Sequence, residues 1–297
     1  MIWVTGCTGM LGSDLCRRLC ESKLDFVTSD SRVDVADYSA LEFFADGKDI
    51  DFIVNCAAYT AVDKAESEEG RASAINSLGP ENLARLAKKI GAKLLHVSTD
   101  YVFDGSGNTP FTEDMAVAPL GVYGKTKADG EKRVAETFSD YYILRTAWLY
   151  GWNGRNFVYT MIRAMNSRGS VKVVDDQHGT PTFCGTLSNV IISIISRASS
   201  NPVPYGIYHV TDEGETTWFG FTQEIKRQSA SIGLLQNEDC RVEPCSTEDY
   251  PTPAKRPAYS VLSKKKIQDA LQESLPDWKD SLSVFLKSEF FDTDRIK

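Results

Sequence analysis

The segment that most restricts the fold lies at the very start of the chain. Ile2-Trp3-Val4 is a short apolar run, and Thr5-Gly6-Cys7-Thr8-Gly9-Met10-Leu11-Gly12 follows it directly. Leu11, Leu15 and Leu19 then recur at helical spacing. A strand, a tight glycine turn and a helix in that order form a βα unit, which needs a parallel sheet to pack against. Glycine lets the backbone turn sharply and approach a pyrophosphate with no Cβ in the way. The helix start offers the same anion free N–H groups and a partial positive charge. The spacing is G-x-x-G-x-x-G, not the G-x-G-x-x-G of many dehydrogenases, so the glycines alone leave a plain tight turn as a second reading.

The rest of the first half repeats the unit. Phe26 to Thr28, Phe52 to Val54, Leu94 to Val97 and Ile143 to Leu144 read as strands. Leu83, Leu86, Ala87 and Ile90 mark one helix face, which Gly91 ends. This alternation predicts an α/β fold: a Rossmann-like, doubly wound parallel sheet with ligands at the carboxyl ends of its strands. The second half is less regular. It carries a strand at Val171 to Val174, a helix with Val190, Ile191, Ile194 and Ile195, a strand near Ile207 to Val210, and two terminal helices. We expect a dinucleotide-binding domain over 1–150 with a returning segment at about 183–212, and a smaller C-terminal substrate-binding domain from 151–182 and 213–297.

Composition narrows the partners. The net charge of −8 argues against a general affinity for nucleic acid or an anionic membrane surface. A local basic pocket for an anionic substrate is still compatible with it. Seven cysteines without a C-x-x-C pair fit reduced thiols and a cytoplasmic location. No signal peptide is visible, and no apolar run is long enough to span a membrane.

An acidic residue is expected to end the second strand and hold an adenosine ribose. Asp30 fits that place. Its carboxylate favours NADH, whereas Arg32 two residues later could accept the 2′-phosphate of NADPH, so the residues leave the choice open. Tyr123 and Lys127 stand one turn apart on one face of a helix that runs through Glu131 and Val134. A free tyrosine titrates near pH 10, and a neighbouring ammonium makes its phenol a usable acid–base group. Thr99, at the end of a strand, can meet a carbonyl oxygen at the same place. Three scattered histidines (His96, His178 and His209) lack ligand spacing, read as packed or loop residues, and predict no catalytic metal.

Together, the Gly6/Gly9/Gly12 turn, the Thr99 hydroxyl and the Tyr123/Lys127 pair resemble the extended short-chain dehydrogenase/reductases. Longer stretches are similar to the dTDP-4-dehydrorhamnose reductase family within them. These are Asn55 to Glu66, Ser98 to Gly105, Tyr123 to Lys127 with Glu131, Arg145 to Gly151, Asp176 to Thr182, and Arg256-Pro257. The resemblance covers nearly the whole chain. It implies hydride transfer from NADPH or NADH to C4 of a dTDP-4-keto-6-deoxy-L-sugar, giving dTDP-L-rhamnose. Tyr123 then protonates the C4 oxygen, Lys127 holds the cofactor ribose and lowers the Tyr123 pKa, and Thr99 orients the donor. Thr99, Asp100 and Trp148 would touch the sugar nucleotide. Gly9, Met10 and Leu11 would face the pyrophosphate, and Ala57, Ala58 and Tyr59 the adenosine side. Asp34 and Val35 match an adenine-contacting pair. Some relatives bind Mg²⁺ at a dimer interface, but only Asp14 suggests itself here and no metal site is assigned. The expected assembly is a monomer or a homodimer.

Other functions compete. A related 4,6-dehydratase carries Thr-Asp-Glu where this chain has Thr99-Asp100-Tyr101, and a tyrosine is a poor substitute for that glutamate at neutral pH. A 4-epimerase would retain its nicotinamide through each cycle. A non-catalytic dinucleotide-binding regulatory subunit would need no triad, yet Thr99, Tyr123 and Lys127 are all present. Arg155, Lys255 and Arg256 are candidate cations for the substrate diphosphate.

Overall fold

The computed structural model describes residues 1–297. Alternation of strand and helix carries the chain through β1 (Ile2–Thr5), α1 (Met10–Glu21), β2 (Phe26–Ser29), α2 (Tyr38–Ala45) and β3 (Phe52–Asn55). Two short helices, α3 (Val62–Ala65) and α4 (Glu69–Ser73), and a π-helical turn at Ala74–Leu78 lead into α5 (Gly79–Ile90). Pro80 lies where the π-helical turn passes into α5, and Gly91 closes the helix in the left-handed region at φ 75°. Then come β4 (Lys93–Thr99), α6 (Val122–Thr137) and β5 (Tyr141–Thr146). Each expected strand of this half is present.

The second half holds β6 (Leu149–Tyr150), α7 (Phe157–Ser167), β7 (Ser170–Val174), β8 (His178–Gly179), β9 (Thr182–Phe183), α8 (Cys184–Arg197) and β10 (Gly206–His209). It ends with β11 (Thr216–Thr217), α9 (Trp218–Ser231), β12 (Arg241–Cys245), α10 (Lys265–Leu271) and α11 (Trp278–Lys287).

Six strands form one parallel sheet in the order β2-β1-β3-β4-β5-β10. The order reverses direction at β1, so a crevice opens between the carboxyl ends of β1 and β3. Apolar residues of α1 and α8 cover one face, among them Leu11, Leu15, Leu19, Leu187 and Ile191. Residues of α2 and α5, with Val134 of α6, cover the other. Buried on both sides, the central strands β1 and β3 read as continuous apolar runs rather than alternating ones. A separate aromatic core around Tyr150, Trp152, Phe183, Phe221 and Phe285 joins α7, α9 and α11. The strand at β7 pairs with β12 outside the main sheet. Ile267 and Leu271 of α10 belong to the core beneath the main sheet, although the expected division placed 213–297 with the other unit. Their apolar face finds its cover on the β10 side of the sheet. No helix is long and apolar enough to cross a membrane.

Candidate active site

The glycine turn lies at the crevice. Gly6 has φ +63°, and a Cβ there would come within 2.7 Å of the Ala57 nitrogen. Thr5 and Asn55 are register partners, so the turn after β1 and the loop after β3 meet at once. Gly12 is equally constrained: its Cβ would lie 2.3 Å from the Gly6 carbonyl oxygen. Gly9 caps α1 without a side-chain hydrogen bond, and the first turn holds no acid. The helix start is therefore left with N–H groups for an external anion. A cleft of about 440 Å³ runs from this turn, lined by Gly6, Gly9, Asp30, Asp34, Val35, Ala57 and Ala58. Those features fit a dinucleotide.

Other residues expected on this side take different places. Leu11 is buried in the core below the turn, so only its backbone can serve the cleft. Met10 packs on that core and against Gly151. Tyr59 is buried and donates its hydroxyl to Glu68 at 2.9 Å; its backbone N–H donates to Asn76 Oδ1 and its carbonyl accepts from Asn76 Nδ2. Arg71 of α4 also lines the cleft, and no motif announced it. Asp30 is engaged by Arg32 at 2.8 Å, and the guanidinium holds its carboxyl below the usual range. The two residues that argued for different cofactors thus neutralise one another.

A second cluster forms where β4 ends and α6 begins. The Thr99 hydroxyl donates to Asp100 Oδ1 at 2.9 Å and accepts from the Tyr101 N–H at 3.2 Å. Asp100 is buried, and its Oδ2 has no partner. Burial pushes its carboxyl up to about 6. The Tyr123 and Tyr101 rings meet edge to face at 5.5 Å. Burial raises the Tyr123 phenol above its ordinary value, and the nearby Thr99 hydroxyl partly offsets this. Burial also lifts Tyr101 to about 12, which leaves it without proton chemistry at neutral pH. Lys127 is buried, and burial brings its ammonium down to about 8. Its Nζ donates to the Val97 carbonyl at 2.6 Å instead of turning to the phenol. The expected downward pull of Lys127 on Tyr123 is not part of this geometry.

Glu131 and Arg145 form a buried ion pair behind the cluster, at 2.7 Å between Oε2 and Nη2. Trp148 follows β5 with φ 46°, a left-handed conformation that a bulky residue rarely adopts. Such backbone strain concentrates at functional sites. One indole face is stacked at 3.6 Å on Trp218, a residue the sequence did not single out. Gly179 makes room at the edge, since a Cβ there would lie 2.5 Å from the indole.

The candidate cations are dispersed. Arg256 Nη2 is held by Asp63 at 2.8 Å, and Nη1 is buried without a partner. Arg155 lines a different pocket with Arg163 and Arg295, and Lys255 is exposed. Asp14 does not fit a Mg²⁺ ligand. Its two oxygens hold Arg17 at 3.0 Å and Arg18 at 2.8 Å.

Comparison with known proteins places this arrangement. Residues 1–290 match the family described as the RmlD substrate binding domain. A Streptomyces griseus dTDP-4-dehydrorhamnose reductase is 42% identical over 283 residues, 94% of this chain and 91% of its own. The Escherichia coli K12 protein of that name is 41% identical over 248 residues, 83% and 82% of the two chains. Among solved structures, a Clostridium acetobutylicum dTDP-4-dehydrorhamnose reductase has a TM-score of 0.89 at 40% identity, covering 96% of this chain and 98% of its own. A Bacillus anthracis dTDP-4-dehydrorhamnose reductase in complex with NADP has a TM-score of 0.88 at 35% identity, covering 96% and 97%. With the match running almost from end to end, this chain belongs to the dTDP-4-dehydrorhamnose reductase family.

Proposed function

We propose that the protein reduces dTDP-4-dehydro-6-deoxy-L-mannose to dTDP-L-rhamnose, with Tyr123 as the proton donor. The observation that carries this reading is the convergence of Thr99, Asp100 and Tyr123 where β4 ends and α6 begins, with Asp100 Oδ2 buried and without a hydrogen-bond partner. An orphaned buried oxygen is costly unless a ligand satisfies it, and a sugar hydroxyl has the donor it lacks.

NAD(P)H, held along Gly6, Gly9, Asp30, Asp34, Val35, Ala57 and Ala58, supplies the hydride for C4. Tyr123 keeps its phenolic proton through the neutral range because burial raises its pKa, so it enters the reaction as an acid and gives that proton to the C4 oxygen. Thr99 orients the phenol. Lys127, whose Nζ is turned to the Val97 carbonyl, would serve the cofactor ribose and return a proton to Tyr123 through a ribose hydroxyl between them. Trp148 offers the sugar nucleotide its indole face opposite Trp218. The same reading places the enzyme in the cytoplasm, in keeping with its seven unpaired thiols.

A coupled assay with dTDP-4-keto-6-deoxy sugars, following NADH and NADPH oxidation separately, tests the reading. Substrate-dependent oxidation is expected. A tightly retained cofactor that substrate does not consume would point to an epimerase, and binding without turnover to a regulatory subunit. In the same assay Asp30→Ala frees Arg32 for a 2′-phosphate. The ratio of KM for NADPH to KM for NADH should fall about tenfold, the equivalent of one charge-assisted contact. An unchanged ratio would show that the pair does not read the ribose. Trp148→Ala should raise the KM for the sugar nucleotide well above any change in that for the cofactor; equal losses would make Trp148 a core residue only.

A further inference from the structure

His96 is a buried titratable group to which the reaction above gives no task, and its surroundings fix its protonation. It stands on β4 with no exposed surface. The Asn55 Oδ1 accepts from the Thr5 hydroxyl at 2.7 Å and from the Ala57 N–H at 3.1 Å. Two donors on that atom assign the amide, so Asn55 Nδ2 is the donor that meets His96 Nδ1 at 3.0 Å. Nδ1 is therefore an acceptor. Burial and the nearby Lys127 hold the imidazole neutral, so its one proton is on Nε2. That nitrogen faces Lys127 Nζ at 3.3 Å.

An Nε2–H and an ammonium both donate. They cannot share a hydrogen bond, whereas an amine can accept one. We propose that His96, locked by Asn55 as its Nε2–H tautomer, is a positioning residue that turns its N–H on Lys127 and favours the amine in the resting pocket. The proposal rests on the reading of Lys127 as the group that serves the ribose and recharges Tyr123. Opposing it on α6 is Glu131, whose charge favours the ammonium but is shared with Arg145 of β5 and Ser98 of β4. Tyr123 is one turn before Lys127, and β4 adds the Val97 carbonyl, which takes one N–H from either form. Thr5 before the glycine turn and Ala57 after β3 thus reach Lys127 through Asn55 and His96, the last contact being a hydrogen bond when Nζ is the amine.

The tautomer can be observed directly. In protein labelled with ¹⁵N-histidine, His96 should show an unprotonated Nδ1 and a protonated Nε2 in NMR spectra. A proton on Nδ1 would overturn the proposal, with no substrate needed and whatever the enzyme reduces. Asn55→Asp offers Nδ1 a carboxylate in the same place. The ring proton should move to Nδ1, leaving Nε2 to accept from the ammonium. The alkaline limb of kcat/KM should then rise by about one pH unit, within the range that charge partners produce. A limb that moves while the proton stays on Nε2 would be a charge effect alone and would refute the relay. So would an unmoved limb in a folded, cofactor-binding variant. If the variant does not fold, the wild-type spectrum still decides. Absence of any 4-keto sugar reduction would sink the assigned reaction and leave the tautomer test standing.

Discussion

Tyr123→Phe is expected to lower kcat by about 10²- to 10⁴-fold, the span of a positioned general acid, while NAD(P)H still binds. The substitution removes one oxygen and little else. The phenyl ring keeps its edge-to-face contact with Tyr101 and its place against the cluster of Tyr59, Ala65 and Ala72. Thr99 keeps Asp100 and the Tyr101 N–H as partners. The dinucleotide cleft is lined by other residues. Loss of turnover with retained cofactor binding would therefore report the proton and not the fold. Steady-state kinetics and a cofactor fluorescence titration separate the two, and turnover close to wild type would defeat the assignment. The wild-type pH profile carries a related sign. The Tyr123 phenol is raised by burial, so it stays protonated as pH climbs. Lys127, brought down to about 8, is the group that loses its proton first. Activity should decline from about pH 8 upward because Tyr123 is no longer recharged. A limb near the ordinary lysine value, above 10, would contradict the buried environment.

How much of this was legible in the sequence depends on the range of the interaction. The glycine turn and the strands around it were readable because each is fixed by local spacing and by burial on both faces. The placement of Thr99 at the end of a strand and of Tyr123 at the start of a helix was readable for the same reason. The partners were not. Nothing near Lys127 in the chain says that it points at the Val97 carbonyl, because that contact depends on how α6 lies on β4. His96 looked like a packed histidine, and it is packed, but only the order of the strands brings Asn55 and Lys127 to its two nitrogens. Trp218 was invisible because it stacks on Trp148 from 70 positions away. Arg71 reaches the cleft from a short helix without a motif. Asp30 and Arg32 were both noticed, yet their mutual ion pair changes what either offers a ribose.

Glu131→Ala is expected to destabilise the protein by about 3–5 kcal/mol, the usual loss when one partner of a buried ion pair is removed. Arg145 is the reason. Its side chain is 3% exposed, and Glu131 takes hydrogen bonds from its Nε at 3.0 Å and its Nη2 at 2.7 Å. After the substitution the guanidinium keeps Phe103 beneath it and a His209 contact at 3.4 Å, neither of which neutralises it. Ser98 loses its acceptor as well. For a chain of this length the loss corresponds to a melting temperature lower by about 5–10 °C. Replacing both partners, as Glu131→Leu with Arg145→Leu, should recover most of it, because an apolar pair of similar bulk carries no desolvated charge. A double variant as unstable as the single one would show that the pair contributes through packing and not through charge. The site should respond too. Glu131 ties α6 to β4 and β5 one turn beyond Lys127, so in the single variant the start of α6 is freer to move against Thr99. Turnover should fall even well below the melting temperature, and the double variant, stable but no longer tied, should regain its fold without regaining its full kcat.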